Sequence, residues 1–331
     1  MCLHSVIIAR ISFWLLFILE FTIIDFMKHI FIINPNAGHG KCKKLVPLIT
    51  SIANRLELEY NIEITTGPGD ATQFAKHYLG TSRIYAVGGD GTANEVLNGI
   101  INNKEVQFAV IPGGTGNDFV RTITGGHKYS NHTLEQLIED TINGDICPIN
   151  SARINNQHFL NISSLGIDAI TNFNMVRTTK NIPWLPAKVA YIISALGTLI
   201  KDRNMDVEIT MDGITTRQRI ILAAISNGRF YGGGIMPSPN AHPSDNFLDL
   251  CLVSALSQLR VLGLLPKYIA GKHTREKEVS FYKLTKLNIK SETTLIVNID
   301  GETILANEID IELDPEMIQL AVPKWSPLTL F

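Results

Sequence analysis

Residues 87–95 read VGGDGTANE, and this stretch decides the fold. The apolar run RIYAV leads into it, so a buried strand is followed by a glycine-rich loop with one acidic residue, Asp90. Glycines let a ligand come close to the backbone, and the helix predicted to follow adds partial positive charge at its N-terminus. The stretch therefore predicts an anion site at the carboxyl end of a parallel strand.

Two further loops have the same character. NPNAGHGK (34–41) follows the strand HIFIINP, and PGGTGND (112–118) follows QFAVIP. Apolar strands alternate with helical stretches from residue 28 to 144, which indicates a parallel sheet with helices on its faces. No loop completes a Walker or Rossmann fingerprint, so a Walker-type NTPase and a typical dinucleotide dehydrogenase are disfavoured. Three such loops at neighbouring strand ends predict a nucleotide site.

Capping patterns predict three helix starts in this half. Asp70 is expected to cap the helix GDATQFAKHYL. Thr92 with Glu95, and Thr115 with Asp118, space a hydroxyl and a carboxylate as a capping box does.

The pattern changes from about residue 146 to β-branched, alternating runs joined by tight turns. Asp212-Gly213 between two such runs is a strong hairpin signal. We predict a largely antiparallel second domain, a sandwich or a barrel. The run PAKVAYIISALGTLIK (186–201) is too short for a bilayer and is predicted to be a core helix.

The composition narrows the function classes. The chain has 331 residues, a formal charge of −2 and 45% hydrophobic residues, which allows two domains with their own cores. A nearly neutral chain lacks the excess of positive charge that is typical of nucleic-acid-binding proteins, so we expect no nucleic-acid partner. The four cysteines are scattered without a CxxC pair, which favours free thiols over a zinc site.

The first 26 residues differ from the rest. Their apolar run is interrupted by Arg10, Glu20 and Asp25, which makes a poor membrane span, and no small-residue cleavage pattern follows. MKHIFIINPNAG then reads as the natural start of an α/β domain, so Met27 is predicted to be the working start. A membrane anchor is the alternative.

GGDGTANEVLNG, IPGGTGNDF and IINPNAG together resemble the lipid kinases of the bacterial diacylglycerol kinase family, relatives of sphingosine and ceramide kinases. The similarity continues through SNGRFYGGG, PNAHPSDNFLDL and IDGE to nearly the C-terminus. The GGDGT core is shared with NAD kinases and phosphofructokinases, whereas the downstream segments are typical of the lipid branch.

The resemblance implies an α/β plus all-β fold with the active site in the interdomain cleft. A Rossmann-like or phosphofructokinase-like nucleotide domain precedes an antiparallel β-sandwich domain. Together, the resemblance and the sequence pattern predict four parts. They are an extension at 1–26, a nucleotide domain at 27–145, a lipid-substrate domain at 146–310, and a segment at 311–331 that returns to the first domain.

The resemblance also implies the site residues. ATP is expected to contact Asn34, Pro35, Asn36, Ala37, Gly38, Thr65, Gly89, Asp90, Gly91, Thr92, Ala93, Asn94, Glu95 and Thr115. Mg²⁺ is expected at the Asp245 carboxylate with the backbone carbonyls of His242 and Phe247, an oxygen set that suits this ion. Asn246 stands there where the family usually has glycine, and it also tolerates left-handed geometry.

Phosphoryl transfer further needs a group that takes the acceptor's proton. The resemblance makes Glu302 this base, with Asp300 and Asp90 as the other catalytic carboxylates, although DGE alone would be read as a hairpin turn. The acceptor is expected to be a lipid alcohol at the inner face of the membrane, diacylglycerol first, with sphingoid bases, undecaprenol and other lipid alcohols left open. The enzyme is expected to be cytoplasmic, and a homodimer is one option for its assembly. An NAD kinase and an inactive nucleotide-binding regulator are the alternatives.

Overall fold

The structure is a computed structural model that describes residues 27–78, 80–126, 131–171, 173–174, 187–198 and 203–330. The predicted extension at 1–26 lies outside the described residues. The strands are β1 (Lys28–Ile33), β2 (Tyr60–Ile64), β3 (Ser82–Gly88), β4 (Val106–Pro112), β5 (Asp145–Ile149), β6 (Ala152–Ile154), β7 (Gln157–Phe159), β8 (Ile162–Gly166), β9 (Met205–Met211), β10 (Ile214–Ser226), β11 (Leu248–Ser254), β12 (Val279–Leu284), β13 (Lys286–Ile299), β14 (Glu302–Leu313) and β15 (Ile318–Val322).

The helices mostly cover the first sheet. They are α1 (Leu45–Arg55), α2 (Asp70–His77), α3 (Asp90–Ile100), α4 (Asp118–Ile123), α5 (Leu134–Ile142), α6 (Ala187–Thr198) and α7 (Gln258–Ile269). Within the described ranges no helix is long and apolar enough to cross a membrane. Of the run predicted as a core helix, 187–198 is helical, and its two ends lie outside the described residues.

The first domain is built on a six-stranded sheet in the order β2-β1-β3-β4-β15-β5. All neighbours are parallel except β15 and β5, which are antiparallel. Alternate residues of β1 face opposite sides, as a strand requires. Ile30 and Ile32 pack into a cluster with α2 and α3, whereas Phe31 and Ile33 pack with α1 and α5. The predicted parallel sheet with helices on both faces is confirmed.

Near each predicted boundary the chain contributes one strand to the first sheet, β5 before the second domain and β15 after it. β5 belongs to the first sheet and runs to Ile149, so this sheet extends beyond the expected division at 145/146. β14 runs to Leu313, and the chain then returns as β15, which lies between β4 and β5.

The second domain is a nine-stranded antiparallel sheet, in which β9 and β8 lie end to end between the long strands β10 and β13. Register shifts at Ile220/Leu222 and at Lys290/Leu295 interrupt the long strands. Side chains from β6 to β14 meet in one apolar cluster, so the sheet curves around its own core. The predicted β-rich, antiparallel character of this domain is confirmed.

The hairpin predicted at Asp212-Gly213 joins β9 to β10. Both residues have positive φ, 50° and 78°. Two-residue hairpin turns need this conformation, and Asp-Gly is a pair that adopts it readily. Asp300 and Gly301 repeat the arrangement between β13 and β14, with φ of 46° and 98°. DGE is therefore a hairpin turn as well as a candidate site.

The predicted helix cap at Asp70 is wrong. The helix starts at Asp70 itself, and Gly69 occupies the capping position in left-handed geometry. The Asp70 carboxylate instead accepts hydrogen bonds from the backbone N–H groups of Thr66 and Gly67, at 2.7 and 3.0 Å. It holds the turn before the helix, because a residue in the first turn points back toward the preceding loop.

The two capping boxes predicted in the glycine-rich loops are also wrong. Thr92 and Glu95 lie inside α3, which begins at Asp90, and α4 begins at Asp118 after Asn117. Glycine-rich backbone lets these helices start later or earlier than the hydroxyl spacing implies. The one capping box that the described helices show joins Thr133 and Gln136 at the start of α5.

Candidate active site

The three glycine-rich loops meet at one edge of the first sheet, because β1, β3 and β4 are parallel neighbours. Their backbones touch directly. A Cβ on Gly114 would lie 2.4 Å from Gly89 Cα, and a Cβ on Gly38 would lie 2.4 Å from the carbonyl oxygen of Gly113. Only glycine allows this approach. The first, second and third loops therefore form one continuous surface of backbone groups.

A polar pocket of about 280 Å³ opens beside these loops. Its walls come from the ends of β1 and β2, the segment before α2, and the first turns of α3. They are formed by Asn34, Asn36, Thr65, Thr66, Gly67, Pro68, Ala71, Thr92 and Glu95. Five of the predicted nucleotide contacts, Asn34, Asn36, Thr65, Thr92 and Glu95, thus share one pocket, although they come from three separate stretches of sequence.

Hydrogen bonds between side chains fix the walls of this pocket. Asn34 Nδ2 donates to Thr92 Oγ1 at 3.2 Å, which joins the first loop to α3. Glu95 Oε2 accepts from the backbone N–H of Ala71 at 3.2 Å, which joins α3 to α2. Thr72 Oγ1 donates to the Glu95 carbonyl oxygen at 2.8 Å. These three bonds connect the first loop, α3 and α2 around the pocket.

Other predicted contacts lie outside the pocket wall. Ala93 is buried in the core of the first domain, so it could offer a ligand only backbone atoms. Gly91 is exposed at the start of α3, and Thr115 is exposed in the third loop. Pro35, Ala37 and Gly38 lie in the first loop, where each is half-buried.

Asp90 joins two of the loops instead of lining the pocket. It is the first residue of α3, and its carboxylate accepts hydrogen bonds from the backbone N–H groups of Asp118 and Phe119 at 3.1 and 3.0 Å. It therefore caps α4 from the neighbouring loop. Burial raises the pKa of this carboxyl above its ordinary value, and the two backbone hydrogen bonds oppose the shift.

Asp118 is a candidate site residue that the sequence prediction did not include. It is buried at the start of α4, and its Oδ2 accepts a hydrogen bond at 2.9 Å from the backbone N–H of Gly233, in the second domain. Its Oδ1 lies 3.4 Å from Arg121 Nε. Burial first, and the charge of Asp90 second, raise the pKa of the Asp118 carboxyl to about 7.

Asp90 and Asp118 form a pair of facing carboxylates at the domain junction. A Cβ on Gly116 would lie 3.1 Å from an oxygen of each, so a side chain at this position would crowd both carboxylates. Two carboxylates this close raise each other's proton affinity unless a cation lies nearby. Asp118 is the last residue of the glycine-rich loop PGGTGND, so its position beside the predicted nucleotide site could have been inferred from the sequence. The spacing of hydroxyl and carboxylate residues placed it in a capping box instead.

Asp300 is the most heavily hydrogen-bonded carboxylate among the predicted site residues. Its Oδ1 accepts from the backbone N–H groups of Asn161 and Ile162 at 3.0 and 2.9 Å. Its Oδ2 accepts from the Leu160 N–H at 2.7 Å and from Asn94 Nδ2 at 3.0 Å. Burial raises the pKa of this carboxyl to about 6 despite these bonds. Asp300 therefore fastens the β13–β14 turn to both domains.

Glu302 lies two residues beyond Asp300 and is exposed. Its Oε2 accepts a hydrogen bond from Gln157 Nε2 at 3.2 Å. Gln157 is the neighbour of His158, whose carbonyl oxygen accepts hydrogen bonds from Asn94 and Asn98 of α3. Glu302 thus stands near the face where the second domain meets α3, with its carboxylate accessible to solvent.

The loop predicted to bind Mg²⁺ forms a compact turn. The Asp245 N–H lies 3.4 Å from the His242 carbonyl oxygen, and Asp245 Oδ1 accepts from the Phe247 N–H at 3.1 Å. Asn246 has a φ of 65°, which confirms the expected left-handed geometry. The other oxygen of Asp245 binds the ammonium group of Lys283. The described part of the chain has no cluster of three or more His, Cys, Asp or Glu side chains that could hold a metal.

Comparison with known proteins agrees with this architecture. The pattern of the family "Diacylglycerol kinase catalytic domain" matches residues 28–154, and that of "YegS C-terminal NAD kinase beta sandwich-like domain" matches residues 161–322. A Staphylococcus aureus protein named "Putative lipid kinase" is 28% identical over 298 residues, which cover 87% of this chain and 92% of the relative.

A solved structure supports the same relationship. The crystal structure of "a putative diacylglycerol kinase from Bacillus anthracis" superposes with a TM-score of 0.70 at 26% identity, and the match covers 90% of this chain and 98% of the other. A second structure of a protein so named, also from Bacillus anthracis, has a TM-score of 0.71 at 24% identity and shows the shared fold. The two matched domains, in this order and over nearly the whole described chain, show that the protein belongs to the bacterial diacylglycerol kinase-like family of lipid kinases.

Proposed function

We propose that this protein transfers the γ-phosphate of ATP to the hydroxyl group of a lipid alcohol, with diacylglycerol as the first candidate and phosphatidic acid as its product. The observation that carries the proposal is the polar pocket at the loop edge of the first sheet. It brings Asn34, Thr65, Thr92 and Glu95 together beside three loops whose glycines let the backbones approach one another closely. Backbone N–H groups and the start of α3 suit a polyphosphate.

Asp90 and Asp118 fit the magnesium ion that accompanies ATP. Asp118 Oδ1 accepts no hydrogen bond among the described residues, and the neighbouring Asp90 carboxylate is bound only by neutral backbone N–H groups. An ion at Asp118 Oδ1 would take the place of the Arg121 guanidinium, which lies 3.4 Å away. Carboxylate oxygens are the ligands that Mg²⁺ prefers, and this ion usually takes only one or two of them besides phosphate and water. Bound there, the ion would neutralise the charge that develops on the transferred phosphoryl group.

Glu302 is our candidate for the base that relieves the acceptor hydroxyl of its proton. A base must be accessible to the acceptor, and Glu302 is exposed. Each oxygen of Asp300, in contrast, already accepts two hydrogen bonds inside the protein. We therefore assign Asp300 the task of holding the turn that carries Glu302.

The second domain offers apolar surface for a lipid. A cavity of about 40 Å³ lies between the sheet and α7, and its lining is apolar, with Ile221, Val253, Leu264 and Tyr268 among its walls. On the outer side of α7, Leu259 and Leu262 are 82% and 43% exposed. The cavity itself is too small for an acyl chain, so the support comes from the exposed leucines, which favour a lipid acceptor at the inner face of the membrane over a soluble nucleotide such as NAD.

A labelling experiment tests the proposal. The protein is incubated with radiolabelled ATP, Mg²⁺ and a mixed lipid extract in detergent, and NAD is offered in a parallel reaction. We expect label in a lipid phosphate, identified by mass spectrometry. Label in NADP and none in lipid would replace the proposal with an NAD kinase. Nucleotide binding without transfer to either acceptor would indicate an inactive regulator.

A further inference from the structure

In the loop at 242–247, the ammonium group of Lys283 binds the Asp245 carboxylate, where the sequence predicted Mg²⁺. Lys283 lies on β12 opposite Asp249 of β11 in the antiparallel ladder. Its ammonium group binds Asp245 Oδ2 and lies 5.7 Å from the centroid of the Phe247 ring, within the range of a cation–π contact. One lysine thus contacts two residues of the loop and faces a second carboxylate on the neighbouring strand.

The residues of this loop do not fit a divalent ion as they stand. Mg²⁺ requires near-octahedral oxygen ligands at about 2.1 Å and keeps several waters. Both oxygens of Asp245 are already engaged, Oδ1 by the Phe247 N–H and Oδ2 by the Lys283 ammonium. An ion on Asp245 would lie beside the ammonium group of Lys283, so the ion and the half-exposed lysine would compete for the same carboxylate oxygen.

The charges around Lys283 explain why the lysine is held there. The Asp249 side chain is 7% exposed, and its Oδ2 has no hydrogen-bond partner among the described residues. A buried carboxylate without a nearby cation is unfavourable, and Lys283 is the cation that its strand pairing brings closest. Removal of Lys283 would leave Asp245 and Asp249 as two neighbouring acidic groups without their positive partner.

We propose that Lys283 supplies the positive charge that closes the 242–247 loop, so that this loop folds without a divalent ion. The Mg²⁺ that the family resemblance implies at Asp245 is then replaced by an internal ammonium group. Any requirement of the protein for Mg²⁺ belongs to the nucleotide alone. This inference concerns the folding of the second domain and does not depend on the proposed activity.

The test measures thermal unfolding of the full chain without nucleotide, in EDTA and at increasing Mg²⁺ or Mn²⁺ concentrations. For the wild type we expect no response that depends on Asp245, so wild type and Asp245→Asn should respond to the ions identically. For Lys283→Met we expect an unfolding temperature roughly 2–4 °C lower in EDTA, as for a loss of about 1 kcal/mol, and recovery on addition of the ions. Lys283→Arg, which keeps the charge, should remain insensitive.

Two results would overturn the proposal. A rise in the wild-type unfolding temperature with Mg²⁺ that is lost in Asp245→Asn would show that the loop binds an ion despite Lys283. A Lys283→Met variant that is folded and as stable as the wild type in EDTA would show that the loop needs no cation at all. The comparison of wild type with Asp245→Asn decides the matter even if Lys283→Met does not fold.

Discussion

The side-chain amide of Asn94 donates a hydrogen bond of 3.0 Å to Asp300 Oδ2, and this bond joins α3 of the first domain to the β13–β14 turn of the second. Asn94 also donates to the His158 carbonyl oxygen at 3.0 Å. The helix that begins with Asp90 is therefore fixed to the β-rich domain a little more than one turn further on. The buried Asp300 carboxylate is thus one of the groups through which the two halves of the proposed active site meet, beside Asp118 with Gly233 and His158 with Asn94.

Asp300→Asn should destabilise the protein as well as inactivate it. An amide offers one acceptor atom where the carboxylate offered two, so buried N–H groups of residues 160–162 or Asn94 lose their partner. Each such group costs about 1–3 kcal/mol of unfolding free energy. Urea unfolding measures this loss, and Asn94→Ala, which removes one donor, should show a smaller one. Inactivation without any loss of stability would mean that Asp300 takes part in the chemistry instead of holding the turn.

Glu302→Gln should reduce turnover and leave ATP binding unchanged. The amide keeps the shape of the side chain but accepts no proton, and base assistance is typically worth about 10² to 10⁴ in rate. Steady-state kinetics with the lipid acceptor and calorimetric titration with ATP measure the two effects. Glu308→Gln is the matched control, because Glu308 is exposed on the same strand and paired with Lys290. Equal turnover in both variants would exclude Glu302 as the base.

Gly91→Ala should weaken ATP binding without destabilising the fold. A Cβ at Gly91 meets nothing within 4 Å, and alanine is favoured over glycine in a helix by up to about 1 kcal/mol. The added methyl group would stand where phosphate is expected to approach the start of α3. Calorimetric titration with ATP measures the loss of affinity.

Two other glycines serve as references for Gly91. Gly263 in α7 also has open space around its Cβ position, so Gly263→Ala should affect neither ATP binding nor stability adversely. Gly114→Ala should destabilise the protein, because the new methyl group would lie 2.4 Å from Gly89 Cα. Unchanged ATP affinity in Gly91→Ala would place the phosphates elsewhere along the loops.

The stability of the metal-free protein should depend on the ionisation of Asp118. Its folded-state pKa is raised from 3.8 to about 7, so the folded protein holds a proton that the unfolded chain releases. As pH rises from 4 to beyond 7, this group therefore lowers the free energy of unfolding. Asn does not titrate, so Asp118→Asn should gain stability relative to the wild type as pH rises from 5 to 8.

Thermal unfolding of both proteins across this pH range checks the prediction. The difference between them isolates Asp118 from Asp249 and Asp300, whose raised pKa values act in the same direction. It also removes the opposite effect of His29, His242 and His273, whose pKa values are lowered by burial. A difference that does not change with pH would show that Asp118 is ionised throughout.

Local signals in the sequence predicted most of the fold. The Asp212-Gly213 hairpin, the parallel strands and the convergence of the three loops depend on neighbouring residues and on strand direction, so periodicity and glycine positions were sufficient. The cap predictions failed at Asp70 and Thr92 for the same local reason. The glycines before these helices allow the first helical residue to shift by a few positions, and the spacing of hydroxyl and carboxylate residues does not predict such a shift.

Contacts between residues far apart in the sequence could not be predicted from such local patterns. Asp118 receives its hydrogen bond from Gly233, and Lys283 reaches Asp245 from another strand. Both pairs depend on how the second domain is folded and docked, which no local pattern records. The sequence could nominate Asp245 as a metal ligand, but it could not show that a lysine already faces it.

The position of β15 has a consequence for synthesis on the ribosome. β4 and β5 lie on either side of this strand, so both keep an unpaired edge until residues 318–322 have emerged. At about 5–20 residues per second, the interval between completion of β5 and that of β15 is on the order of ten seconds or more. During that time the nascent nucleotide domain exposes two strand edges of the kind that promote aggregation. The first domain to be translated is thus the last to be completed.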